Sequence, residues 1–267
     1  MTRKTTTGMA DQRLPFTVHL EELRKRLMIC CASVGVGFLV CYGFKNQIFE
    51  FVAIPLIASL PDENSWMIFT GVTEAFFTYL KVSFLAGIFL SLPVIFYQLW
   101  AFISPGLYSK ERMVIFPFAI FSTLFFVTGA CFGYFVVFPF GFKFLLGFAT
   151  ETIRPFPSVR EYLSFATKLL LAFGFVFELP LITYFLAKTG MLTYQTLTKN
   201  RRYFIVIAFI GSATLTPPDV VTQLLMAGPL LILFEISVIV ARVFGRKPLT
   251  DEFGDLKDEE KPGPTAG

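Results

Sequence analysis

Acidic side chains stand where a strongly apolar chain has most reason to exclude them. HLEELRKRL (19–27) sets Glu21 and Glu22 among Arg24, Lys25 and Arg26, directly before an apolar run. Glu111 lies between Lys110 and Arg112 in FISPGLYSKERM (102–113), and Glu178 lies in GFVFELPLITY, two residues before Pro180. Asp219 closes a short turn with Thr216, Pro217 and Pro218, and Gln223 follows four residues later. Carboxylates on a basic surface can clamp a cationic ligand, because arginine–carboxylate pairs are bidentate and lysine cannot copy that fork.

Each group also has a plainer reading. On a helix, Glu21–Lys25 and Glu22–Arg26 are i,i+4 pairs in the favourable order, and ion pairing alone would account for both acids. Leu20, Leu23 and Leu27 line one face of that helix, while His19, Glu22 and Arg26 share a neighbouring one. Glu178 is either a functional group of the membrane interior or a carboxyl hydrogen-bonded to a neighbouring span. Pro180 frees a backbone carbonyl beside it and favours a kink. Asp219 suits a helix cap, whereas the Gln223 amide needs a partner if its helix faces lipid.

Enzymatic constellations are missing. The chain has no GxxxxGK[ST], no HExxH and no GxSxG, and its one histidine is His19. Nucleotide-driven, zinc-protease and serine-hydrolase chemistry therefore lose their signatures, so no catalytic or metal residue is assigned.

The elements that position these residues follow from composition. Hydrophobic residues make up 55% of the chain and charged residues 16%, with 35 phenylalanines; a soluble domain carries about 25% charged residues. Long apolar runs recur along the chain and predict an all-α polytopic membrane protein with six transmembrane helices. Their expected ranges are 27–44, 74–102, 113–138, 162–187, 203–215 and 220–240. Residues 1–26 read as an N-terminal segment with an interfacial helix, and 241–267 as a polar, disordered tail. The leader lacks a small-x-small cleavage site and is expected to remain as the first anchor.

Counted by this topology, 17 Lys/Arg fall on the side of the N-terminus and four on the other. The positive-inside rule then puts both termini in the cytoplasm and Glu22 and Glu111 on one face. Spans five and six are expected to be short. They either thin the bilayer or are buried against neighbours. Cys41 and Cys131 fall toward one side of the membrane and read as small apolar side chains rather than a disulfide.

Four stretches in order, HLEELRKRL, PVIFYQLWAFISPGLYSKER, LAFGFVFELPL and ATLTPPDVVTQLLMAGPLLILFEISV, resemble TatC, the multispanning core of the twin-arginine protein translocase. The likeness runs from about residue 16 to about 246. It implies a concave six-helix bundle in the bacterial cytoplasmic (inner) membrane. It also implies a receptor for twin-arginine signal peptides, part of a Sec-independent translocase that exports folded proteins on the proton-motive force. Matching motif positions imply signal-peptide binding by Glu22 and Glu111, with Arg24 and Phe102 nearby. Glu178, Thr216, Asp219 and Gln223 match a polar region for single-span TatA- and TatB-type subunits, and Pro55 and Pro180 match structural positions. The resemblance implies no cofactor and no nucleic acid, and a homo-oligomer within a larger complex. A proton-coupled secondary transporter using Glu178 is the alternative.

Overall fold

The computed structural model of the chain describes residues 14–60, 67–103, 115–148, 150, 155–215 and 219–245, without the side chains of 14–17. Glu111, Thr216, the SPGLY turn and the polar tail from residue 246 onward lie outside them.

All regular structure among these residues is helical. The order is α1 Leu14–Gly43, α2 Lys45–Ile57, α3 Glu74–Ile103, α4 Ile115–Phe132, a π-helical turn Gly133–Val137, α5 Phe138–Leu146, α6 Val159–Phe177, α7 Leu179–Lys188, α8 Tyr194–Lys199, α9 Arg201–Leu215 and α10 Val220–Phe244. Helices suit an apolar chain in lipid because each backbone polar group is satisfied within its own segment. Five described segments are long and apolar enough to cross a membrane: Val18–Gly43, Glu74–Ile103, Ile115–Leu146, Val159–Lys188 and Val220–Phe244. Two of them are composite, α4 with the π turn and α5, and α6 with α7.

Several boundaries differ from expectation. No break separates an interfacial helix from span one, since α1 is a continuous 30-residue rod, about 45 Å long at 1.5 Å per residue. The expected shortness holds for α9, whose 15 residues reach about 22 Å, below a hydrocarbon core of about 30 Å. It does not hold for α10, which carries Pro229 inside an unbroken run of 25 residues. Its neighbour α9 starts level with Glu235, whose carboxylate accepts from Arg201 Nη2 at 2.7 Å. That contact leaves nine residues of α10 beyond the start of α9.

Close approach of backbones holds α1 to α3. A Cβ on Gly37 would lie 2.7 Å from Gly87 O, and one on Gly87 would lie 2.6 Å from Phe38 N. Beside this crossing, Ser91 Oγ donates to Ser33 O at 2.8 Å. Small residues let helices associate where lipid removes the hydrophobic drive. The α4–α6 contact uses the same device, with Gly129 against the Phe173 carbonyl and Gly174 against the Phe126 ring. Phe126, Phe138, Phe173, Leu163, Leu169 and Met226 are fully buried between the helices.

The end of the bundle carrying α2 and the start of α3 is tied by polar contacts. Pro55 lies inside α2 and offers no N–H to the carbonyl of Phe51 four residues earlier. Tyr134 Oη donates to that carbonyl at 2.5 Å, and Tyr162 Oη donates to the adjacent Val52 O at 2.5 Å. Pro55 is thus a buried proline whose freed acceptor is capped by a tyrosine from another helix.

Glu74 closes the same end. Its Oε2 accepts from Thr70 N, Thr70 Oγ1 and Gly71 N, and its Oε1 accepts from Ser158 Oγ and Arg160 N. Ile68 and Ser158 form an isolated parallel bridge beside it. One buried carboxylate therefore joins the segment before α3 to the start of α6.

Candidate functional site

At the opposite end, the first turns of α1 lie against the last turn of α3. The His19 and Phe102 rings stack with centroids 4.3 Å apart and planes at 16°. Seven residues along α1, Arg26 Nη1 donates to Gln98 Oε1 at 3.0 Å. Residues i and i+7 of α1 thus meet residues i+4 and i of α3, and Glu22 sits on the same face between the two contacts.

Glu22 itself is half satisfied. Arg26 Nε and Nη2 both donate to Oε1, at 3.0 and 2.6 Å. Among the described residues, Oε2 has no protein partner. The pair is partly open to solvent, with 33% of the Glu22 side chain and 22% of the Arg26 side chain exposed. The expected Glu22–Arg26 pair therefore forms, whereas Glu21 and Lys25 are exposed and do not pair with each other. Arg24 is also exposed on this end. A carboxylate so placed can accept a cation, with its turn of α1 held against α3 on either side.

Glu178 is a second, buried acid, 3% exposed. It stands at the junction where α6 ends and α7 begins, with Pro180 in the first turn of α7. Trp100 Nε1 donates to Ser122 Oγ at 2.8 Å, and the Ser122 hydroxyl is hydrogen-bonded to the Glu178 carboxyl. Its Oε1 remains buried with no partner among the described residues. The network joins α3, α4 and the α6–α7 junction.

The other expected polar residues lie elsewhere. Asp219 caps α10: Thr222 N donates to Oδ1 at 2.7 Å, and the Thr222 hydroxyl donates to Oδ2. Those Thr222 bonds hold its carboxyl below the usual 3.8. Gln223 Nε2 donates to Phe209 O at 3.1 Å, tying α10 to α9. Measured by helical rise, Gln223 is about 5 Å from the start of α10 and Glu178 about 28 Å from the start of α6. Both helices start at the Glu74 end, so the two residues occupy different depths and do not meet.

Sequence reasoning missed Gln98, Trp100 and Ser122 as members of these networks. Gln98 and Trp100 stand in the quoted motif PVIFYQLWAF, four and two residues before Phe102, and that spacing was the available signal. Ser122 carried none, as one hydroxyl among many in apolar helices.

This geometry sits in a recognisable sequence. The family profile described as Sec-independent protein translocase protein (TatC) matches residues 18–229. The chain belongs to the TatC family. A TatC protein of Desulforapulum autotrophicum is 56% identical over 242 residues, covering 91% of this chain and 89% of that one. The Escherichia coli TatC protein is 45% identical, covering 86% and 89%. A crystal structure described as the twin arginine translocase receptor TatC superposes with a TM-score of 0.77 at 43% identity, covering 85% of this chain and all of that one. TatC membership accounts for a helical chain with several segments long and apolar enough to cross a membrane.

Proposed function

We propose that this chain is the twin-arginine signal-peptide receptor and the core of a Sec-independent translocase that exports folded proteins. The observation that carries the reading is Glu22. Its carboxylate stands at the partly open end of the bundle with one oxygen unpartnered among the described residues, between the His19–Phe102 stack and the Arg26–Gln98 bond. A guanidinium is the ligand such a group favours, since charge-assisted hydrogen bonds to carboxylates are strong and directional. Glu111 supplies the second carboxylate, with Phe102 and Arg24 at the margin. Both termini lie in the cytoplasm, the membrane is the bacterial inner membrane, and α9 is the shortest of six spans.

Single-span subunits of the TatA and TatB type would dock on α9, where Tyr203, Ile205, Val206, Ile207 and Ile210 are exposed. Gln223 holds α9 through Phe209 O, and Thr216 and Asp219 complete the polar set for such a subunit. Glu178 serves a separate step deeper in the bundle, and energy comes from the proton-motive force. The test is binding of a twin-arginine signal peptide to the purified chain in lipid nanodiscs. Glu22→Gln combined with Glu111→Gln should abolish it, and a twin-lysine peptide should bind distinctly worse. Unchanged binding by the double variant would sink the reading.

A further inference from the structure

We infer that Arg26 sets the arginine selectivity of this site, by holding the place on Glu22 that an incoming guanidinium must take. The inference rests on the reading of Glu22 as the signal-peptide acid and adds the step by which that acid becomes available.

Three features of the contact support it. Arg26 spends two N–H groups, Nε and Nη2, on the single oxygen Oε1. A ligand guanidinium can then engage both Glu22 oxygens only when Arg26 gives way. The far side of the Arg26 fork is anchored on another helix, through Nη1 to Gln98 Oε1, so a displaced Arg26 keeps a hydrogen-bonded position. Finally, the His19–Phe102 stack fixes the preceding turn of α1, so Glu22 stays in place during the exchange.

Selectivity follows from the difference between competing ligands rather than from raw affinity. Replacing one guanidinium by another conserves charge and the paired N–H geometry. An ammonium ion conserves the charge but has no planar fork, so it competes poorly against the resident arginine. Arg26 also adds positive charge beside the oxygen that stays free, which weakens every cation and exacts the largest relative toll on those with fewer hydrogen bonds to offer.

The experiment compares full-length chains in nanodiscs, titrated with the same signal peptide in twin-arginine and twin-lysine forms. Arg26→Gln should bind the twin-arginine peptide about tenfold tighter and gain more than that for the twin-lysine peptide, so that the arginine-to-lysine ratio collapses. Gln98→Ala leaves the charge but removes the hydrogen-bonded position that a displaced Arg26 keeps; it should weaken both affinities, by a smaller factor. Arg26→Lys should lie between wild type and Arg26→Gln. If Arg26→Gln does not tighten binding while Glu22→Gln weakens it, Arg26 is a structural partner and the exchange is wrong. If Glu22→Gln leaves wild-type affinity unchanged, the site reading itself fails, whatever the Arg26 variants do.

Discussion

Glu74 and Glu22 stand at opposite ends of the same helical bundle and are used in opposite ways. Around Glu74, both oxygens are occupied by donors from two chain segments, and the side chain is buried. Around Glu22, one oxygen is taken by a neighbour on the same helix and the other has no partner among the described residues. A carboxylate whose acceptor capacity is spent holds structure together, and one with spare capacity at an accessible end can bind. Glu178 falls between them: it is as buried as Glu74 and as incompletely satisfied as Glu22.

The contrast breaks most sharply if the two acids exchange phenotypes. Glu22→Gln should weaken twin-arginine peptide binding by about 10- to 100-fold, as expected for losing a hydrogen-bonded charge, and leave the thermal midpoint in detergent nearly unchanged. Glu74→Gln should do the reverse, lowering the midpoint clearly while folded protein binds peptide normally. A Glu74 variant that folds as well as wild type would refute its assignment as a tie.

Next in size is the proline–tyrosine cap beside Glu74. Tyr134→Phe leaves the Phe51 carbonyl without its donor and should cost about 1–3 kcal/mol, read as a lower unfolding midpoint. In a Pro55→Ala background the backbone can supply that donor itself, so the same tyrosine change should cost less.

A smaller effect is expected at Gln223, whose amide spans α9 and α10. Gln223→Leu should cost about 0.6 kcal/mol, the average for such bonds in membrane helices. Any loss of single-span subunit binding well beyond that would mark the position as an interface.

The smallest effect is at Asp219. Its carboxyl lies below 3.8 because Thr222 donates to it. A depressed folded value means the contribution is present above the ordinary value and is lost as pH falls through the folded one. The wild-type midpoint should therefore drop in a small step below about pH 4 that Asp219→Asn lacks, while at neutral pH the two match because asparagine also caps helices.

Much of this was legible in the residues. Apolar runs announce their helices, and Glu22 and Glu178 declare themselves as acidic residues at the edge of and within such runs. Other features had no such mark. The α2 helix hides in a connector because 13 residues containing a proline do not read as a span. Arg26 is visible as an i,i+4 partner, but its bond to Gln98 joins residues 72 positions apart, which no local pattern encodes. Gln223 showed the need for a partner and not its identity, since the acceptor is a backbone carbonyl. The length of α10 was underestimated because Pro229 and Glu235 look like interruptions, whereas Arg201 neutralises Glu235 and the helix continues.

The unbroken rod of α1 is clamped to α3 at two well-separated places. Glu22 lies 15 residues from Gly37 along that rod, about 22 Å at 1.5 Å per residue. The Gly37–Gly87 contact is backbone against backbone and leaves almost no room to slide, while His19 and Arg26 grip α3 on either side of Glu22. The two helices therefore act as one stiff strut, and a pull on Glu22 would be carried along both of them toward the Glu74 end rather than absorbed between them.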